Sequence, residues 1–389
     1  MWFFNSPQIV FGEGSLRYLE NVRGRRACIV TDANLVRLGY VNRVKESLAR
    51  NGLLVDVYHA IEPDPSLATV RLGATFLCDT APDWIIALGG GSVIDAAKAM
   101  WVLYEHPDLE PEAINPVDDL SMGQKARLVA IPTTAGTGSE ATWAVVLTDS
   151  AEQRKLGLGN RAAIPAVAIL DPEMIMALPP RLTADSGLDA LTHAIEGYAT
   201  TWHNDFSDGL CLKAAKLVFD YLRRAYQDGS DLEARTHLQN AATIAGLGFG
   251  NAMAALAHGM GHSLGAVFHL PHGRCVALAL PYTIEYCMGG EPGSTRYLEL
   301  ARFIGLPVAE ERQAGFALAE AIRRLQAEVH QPLTLAACGV SQHAFEQNLE
   351  LLVQNALTDS QTIMSTRIPE WEDLERLFNA CWSGKTINY

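Results

Sequence analysis

The stretch WIIALGGGSVIDAAKA, residues 84–99, is the feature that most constrains the fold of this 389-residue chain. A short apolar run leads through three glycines and a serine straight into a helical pattern. A buried strand that feeds a helix this way is the unit of a parallel α/β sheet. The same rhythm runs through the first 180 residues or so. ACIVTD (27–32), LLVDVYHAI (53–61), RLVAIPTT (127–134) and PAVAILDP (165–172) read as further strands. Residues 41–51, TVRLGATFLCDT (69–80) and SVIDAAKAMWVLYEH (92–106) read as helices. Strands alternating with helices predict βαβ units and a mostly parallel sheet. After the Pro179-Pro180 pair the pattern changes. Helical periodicity alone is found, over 185–199, 206–227, 232–248, 252–267 and from Gly273 onward. The expectation is an α/β N-terminal domain (1–181) followed by an all-α C-terminal domain (182–389).

Charge and cysteine usage narrow the function. A net charge of -14 argues against nucleic acid and anionic membranes, which attract basic surfaces. No apolar run approaches the ~18 residues of a spanning helix. Met1-Trp2-Phe3-Phe4 lacks the basic start and long apolar core of a secretory signal. Seven cysteines without a C-x-x-C pair fit reduced thiols better than a disulfide scaffold, so a cytoplasmic protein is expected.

Two polar loops follow strands. Gly89, Gly90, Gly91 and Ser92 would let a phosphate approach the backbone at the positive end of a helix, with Ser92 as its cap. The pattern is neither G-x-G-x-x-G nor a Walker loop. PTTAGTGSEAT (132–142) supplies hydroxyls and backbone N–H groups suited to diphosphate or ribose. Together the two loops point to a dinucleotide. Asp32 ends the first strand, where a carboxylate accepts hydrogen bonds from an adenosine ribose and repels a 2′-phosphate. It favours NAD over NADP.

The helical half carries ligand-type pairs. Asp189 and His193 are spaced i,i+4, as are His258 and His262, so each pair shares a helix face. His269 and His272 follow closely. Seven of the eleven histidines lie between 193 and 272, a window of 80 residues. A carboxylate with imidazoles suits Fe(II) or Zn(II). The spacing leaves open which of His258, His262, His269 and His272 bind.

Together these motifs resemble the iron-containing (group III) alcohol dehydrogenase family. The matching stretches are IVTD, GGGSVIDAAKA, PTTAGTGSEAT, AILDPEM, DALTHAIEGY, AHGMGHSLG and PHG, in the family's order across residues 3 to 382. The resemblance implies a Rossmann-like NAD-binding domain before a helical metal-binding catalytic domain, the architecture shared with dehydroquinate synthase. It implies that Asp189, His193, His258 and His272 are the metal ligands. His262 would lie beside the nicotinamide and relay a proton. Gly89, Gly90, Gly91, Ser92 and Asp95 match the diphosphate turn, Thr133, Thr134 and Thr137 the second cofactor loop, and Lys155 the lysine that reaches the nicotinamide ribose. Gly259 and Gly261 would let substrate and cofactor approach the histidine turn. The implied activity is metal-dependent hydride transfer between NAD and a primary alcohol, with iron, or zinc, as the metal. A homodimer or higher homo-oligomer is expected, with the segment MWFFNSPQIVFG pairing across it.

Departures concern the substrate pocket. Many relatives carry alanine where Gly261 stands, and RCV replaces an asparagine-bearing segment after PHG. Two rival readings share the scaffold: glycerol dehydrogenase-like polyol oxidation, and a non-redox enzyme of the dehydroquinate synthase type. The second should need basic residues near the metal, and residues 182–272 have few.

Overall fold

A computed structural model describes residues 3–151 and 154–387. Met1 and Trp2, part of the predicted N-terminal strand segment, lie outside the described residues. The chain divides into two compact units, Met1–Leu178 and Pro179–Tyr389.

The first unit is built on a six-stranded, wholly parallel sheet. Its strands are β1 (Gln8–Phe11), β2 (Arg26–Val30), β3 (Leu54–Tyr58), β4 (Trp84–Gly89), β5 (Arg127–Pro132) and, later in the chain, β8 (Val167–Leu170). A separate antiparallel hairpin, β6 (Ala144–Asp149) and β7 (Arg154–Gly159), was not foreseen in the sequence. The helices are α1 (Ala33–Arg37), α2 (Tyr40–Ala49), α3 (Leu67–Thr80) and α4 (Gly91–Glu105).

β4 and β5 are buried along almost their whole length because helices cover both faces of the sheet. Alternate residues feed two cores. Cys28, Val30, Ile85, Ala87, Leu128 and Ala130 pack toward α3 and α4. Ile29, Ile86, Leu88, Val129, Ile131 and Ile169 pack on the opposite face with α2. The strand order is β1-β8-β5-β4-β2-β3. The chain leaves β2 for β3 on one side and returns to β4 on the other. The topological switch therefore lies between β2 and β4, where ligands bind beyond strand ends. Asp32, the glycine turn and Thr133 all sit just past the carboxyl ends of these neighbouring strands.

The second unit is helical: α5 (Pro180–Ala199), α6 (Asp205–Gln227), α7 (Leu232–Phe249), α8 (Leu256–Phe268), α9 (His272–Cys287), α10 (Tyr297–Phe303), α11 (Glu311–Glu328), α12 (Gln342–Thr358) and α13 (Trp371–Ser383). No described helix is long and apolar enough to cross a membrane. α5 is packed by α6, α7, α8 and α9 and is buried almost all round from Thr183 to Ala199. A helix so enclosed should be apolar. This one buries Asp185, Asp189, His193 and Glu196 instead. Buried charges persist only when paired or bound to a metal, so α5 is the element to follow.

Burial also sets an alkaline limit. Cys28, Cys211, Cys287 and Cys381 are buried thiols whose pKa is pushed up by loss of solvent, that of Cys28 to about 12. Above the ordinary thiol range of about 8.5 the unfolded chain releases protons that the folded chain keeps, and stability falls as pH rises. Lys98, brought down to about 8 by burial, acts oppositely, but as a single group. The urea midpoint should fall from about pH 9 to about pH 11; a flat or rising midpoint would contradict this.

Candidate metal centre and cofactor loops

Six side chains from three helices converge in the helical unit. α5 supplies Asp189, His193 and Glu196, α8 supplies His258 and His262, and α9 begins with His272. One ligand atom each of Asp189, His258 and His272 lies within 4.8 Å of the others. His272 Nε2 is 3.4 Å from Asp189 Oδ1. His193 lies beside this three-residue cluster without being part of it: its Nε2 faces His258 Nε2 at 2.9 Å, and its other ring nitrogen, Nδ1, is 3.8 Å from Asp189 Oδ1.

These separations fit a shared ion. Two ligands about 2.1 Å from a tetrahedral metal lie about 3.4 Å apart. The donor set, three imidazoles and a carboxylate, is one that iron or zinc accepts. His193 stacks on Phe249 at 4.0 Å between ring centroids, and its Nδ1 has no hydrogen-bond partner among the described residues. Burial holds its pKa well below the ordinary imidazole range, with help from His258 and His262, so it stays neutral with lone pairs to offer. His258 differs. Burial would lower its pKa, but the hydrogen bond and charge of Glu196 outweigh that and raise it.

Glu196 is a residue the sequence reading missed. Its carboxylate accepts His258 Nδ1–H and the backbone N–H groups of Ala255 (3.1 Å) and Ala257 (2.5 Å). This fixes the tautomer that turns His258 Nε2 inward, the usual support of a metal-binding histidine. Its position three residues after His193 was the available signal. Asp359 was missed as well. It accepts His262 Nδ1–H at 2.8 Å and has no local signal, lying 97 residues away. Burial works against its ionisation, but His262 holds its pKa below the usual carboxylate range.

His262 stacks beside His272, ring centroids 5.3 Å apart, but is absent from the three-ligand cluster. His269 is exposed and ends α8 in the left-handed conformation, at φ 54°. Gly259 and Gly261 do not open space for a ligand. A Cβ at Gly259 would meet Thr362 Oγ1 at 2.1 Å, and one at Gly261 would meet Val276 Cα at 3.0 Å. Protein fills both positions, so these glycines serve close packing of α8. Gly273 does the same for α9, where a Cβ would meet the Asp185 carbonyl at 2.3 Å.

In the α/β unit the two loops pack on each other. A Cβ at Gly90 would meet Thr134 at 3.1 Å, and one at Gly91 would meet Thr137 at 2.6 Å. Thr133 N–H bonds Gly89 O at 3.0 Å. Ser92 is not the cap of α4, in contrast to expectation. Gly90 takes that position and no side chain caps the helix, because the glycine turn tightens early and places Ser92 inside the first turn. The first amides of α4 are thereby left for a ligand. Asp95 holds the loops together: its carboxylate accepts Ser139 Oγ–H and the Val146 N–H (3.0 Å), and Lys98 Nζ lies 3.8 Å away. Asp32 Oδ1 caps α1, accepting Asn34 N–H at 2.7 Å and Leu35 N–H at 3.1 Å. Lys155, on β7, pairs with Asp64 at 2.6 Å.

The family model for iron-containing alcohol dehydrogenase matches residues 6–172, and that for the family's C-terminal domain matches residues 183–382. The chain is 36% identical to an NADPH-dependent butanol dehydrogenase of Clostridium saccharobutylicum, with all of both chains covered. It spans about half the length of several other curated relatives, which are aldehyde-alcohol dehydrogenases. Among solved structures, an alcohol dehydrogenase from Oenococcus oeni superposes with a TM-score of 0.92 at 30% identity, covering 98% of this chain and 100% of that one. A sulfoacetaldehyde reductase from Bifidobacterium kashiwanohense, solved with NAD+, superposes with a TM-score of 0.87 at 26% identity, covering 99% and 100%.

Glu196→Gln tests the support of His258. Gln keeps the shape but loses the charge, and metal retention against a chelator should weaken about 10- to 100-fold. Wild-type retention would remove Glu196 from this role.

Proposed function

The chain belongs to the iron-containing alcohol dehydrogenase family, and on that premise we propose that it interconverts a primary alcohol and its aldehyde with NAD. The convergence of Asp189, His258 and His272 on one point, with His193 against His258, carries the reading. These four side chains would hold the metal. When bound, iron, or zinc in its place, supplies Lewis-acid polarisation of the substrate oxygen, and NAD accepts or gives the hydride.

The chain's own residues do the rest. Gly89, Gly90, Gly91 and Ser92 offer backbone N–H groups to the diphosphate. Thr133, Thr134 and Thr137 line the second loop, which Asp95 and Lys98 keep in place. Lys155 serves the nicotinamide ribose. His262 is fixed by Asp359 at Nδ1, which leaves Nε2 to exchange a proton with the alcohol. The α/β unit is read as NAD-binding and the helical unit as the metal-binding catalytic part. A cytoplasmic location fits the reduced cysteines. A homo-oligomer would form through β1, the last strand of its sheet.

Asp32 supports NAD over NADP. Asp32→Asn keeps the cap on α1 but removes the charge that repels a 2′-phosphate. Preference for NADPH should rise on the order of tenfold or more, because like-charge contacts cost several kcal/mol. An unchanged preference would free Asp32 of that part.

The decisive experiment combines elemental analysis with an NADH-oxidation screen over short and long aldehydes. Iron or zinc near one per chain with turnover is expected. A metal-loaded protein that turns over none of them would defeat the proposal. His258→Ala should lose the metal. His262→Ala should keep it and lose turnover; full activity in that variant would end the relay assignment.

A further inference from the structure

Apart from the metal constellation, the helical unit contains a cavity of about 240 Å³ bordered by Arg181, Tyr226, Arg274, His330 and Gln331. Arg274, in the first turn of α9, is only 6% exposed. Its Nε and Nη2 donate to Asp185 at 3.1 and 2.9 Å, and Nε also donates to Gln331 Oε1 at 3.2 Å. Its remaining nitrogen, Nη1, makes no hydrogen bond among the described residues. Nη1 is not among the buried polar atoms left without a partner, so it is open to the cavity. Arg181 stands one turn before Asp185 on α5, at the same cavity, and enters no ion pair among the described residues. The Asp185 carboxylate is thus taken by Arg274, with the Arg181 charge nearby but outside ion-pair distance. His330 sits at the rim at φ 52°, with Nδ1 3.1 Å from the Tyr226 hydroxyl. The polar lining is mostly donors and carries surplus positive charge.

Paired guanidinium forks match the oxygens of a phosphate, which accepts two parallel N–H bonds from each. The cavity exceeds what a phosphate alone needs, and Val329, Pro332 and the Tyr226 ring give it an apolar wall. We propose that this cavity binds a phosphate group, free or as a small phosphomonoester, between Arg181 and Arg274. The hydride-transfer reading uses none of these residues, so the site stands apart from it.

The test is calorimetric titration of inorganic phosphate into metal-loaded protein saturated with NAD, so that the glycine turn is already filled. Ionic strength is held constant with chloride. A parallel arm uses glycerol 3-phosphate. Wild-type protein should bind saturably, one per chain, with the ester tighter if the cavity takes phosphomonoesters and equal if it takes free phosphate. Arg181→Ala, at an exposed position that leaves the fold intact by circular dichroism, should bind at least tenfold more weakly. Arg274→Lys keeps a cation against Asp185 but loses the fork, and should weaken binding likewise. Absence of saturable binding in both arms, or wild-type affinity in both variants, would overturn the proposal.

Discussion

The carboxylate of Glu196 is the contact on which the helical unit's chemistry depends. α8 starts at an alanine with no capping side chain, so its first amides need an acceptor from elsewhere. Glu196 reaches across from α5 and takes the N–H groups of Ala255 and Ala257. A carboxylate at a helix N-terminus is also favoured by the helix dipole. The same group receives His258 Nδ1–H. Helix start, helix contact and imidazole orientation therefore share one acceptor. Any shift of α5 against α8 would disturb all three together.

A comparable device works in the α/β unit. Lys98 is fully buried and donates to Ser139 Oγ, Thr142 Oγ1 and the carbonyl of Ala144. Asp95, one turn earlier on α4, takes Ser139 Oγ–H and the Val146 amide. Burial raises the pKa of Asp95 and lowers that of Lys98, disfavouring both charges, and the attraction of each for the other works against both shifts. The pair ties the helix that begins at the glycine turn to the hydroxyl loop. The loops are thus held by polar contacts made behind them, and their outward N–H groups are spared.

The α/β rhythm was legible because β4, β5 and β8 are buried on both faces and read as unbroken apolar runs. The hairpin of β6 and β7 was not, since it is half-exposed, short and glycine-bearing. Asp189 and His193 could be read together because a helix turn makes them neighbours. His272 could be read only as close in sequence, and its approach to Asp189 is a matter of tertiary packing. Glu196 and Asp359 escaped for different reasons. The first resembles any carboxylate in a helix. The second depends on the chain returning 97 residues later. The glycines of AHGMGHSLG misled in a specific way: a missing side chain signals close approach, but not whether a ligand or another part of the protein does the approaching.

Gly259 shows what that costs and gains. Thr362 stands where a methyl group would be, and its hydroxyl bonds the Ala356 carbonyl at 2.7 Å. Its amide bonds the Asp359 carbonyl at 3.1 Å. The short turn that bears Thr362 therefore presses into a notch on α8 while presenting Asp359 to His262 one turn further along the same helix. The notch works as a locating seat. It fixes the height at which a carboxylate from a distant segment meets the imidazole, so a residue without a side chain sets the aim of one whose ring must be aimed.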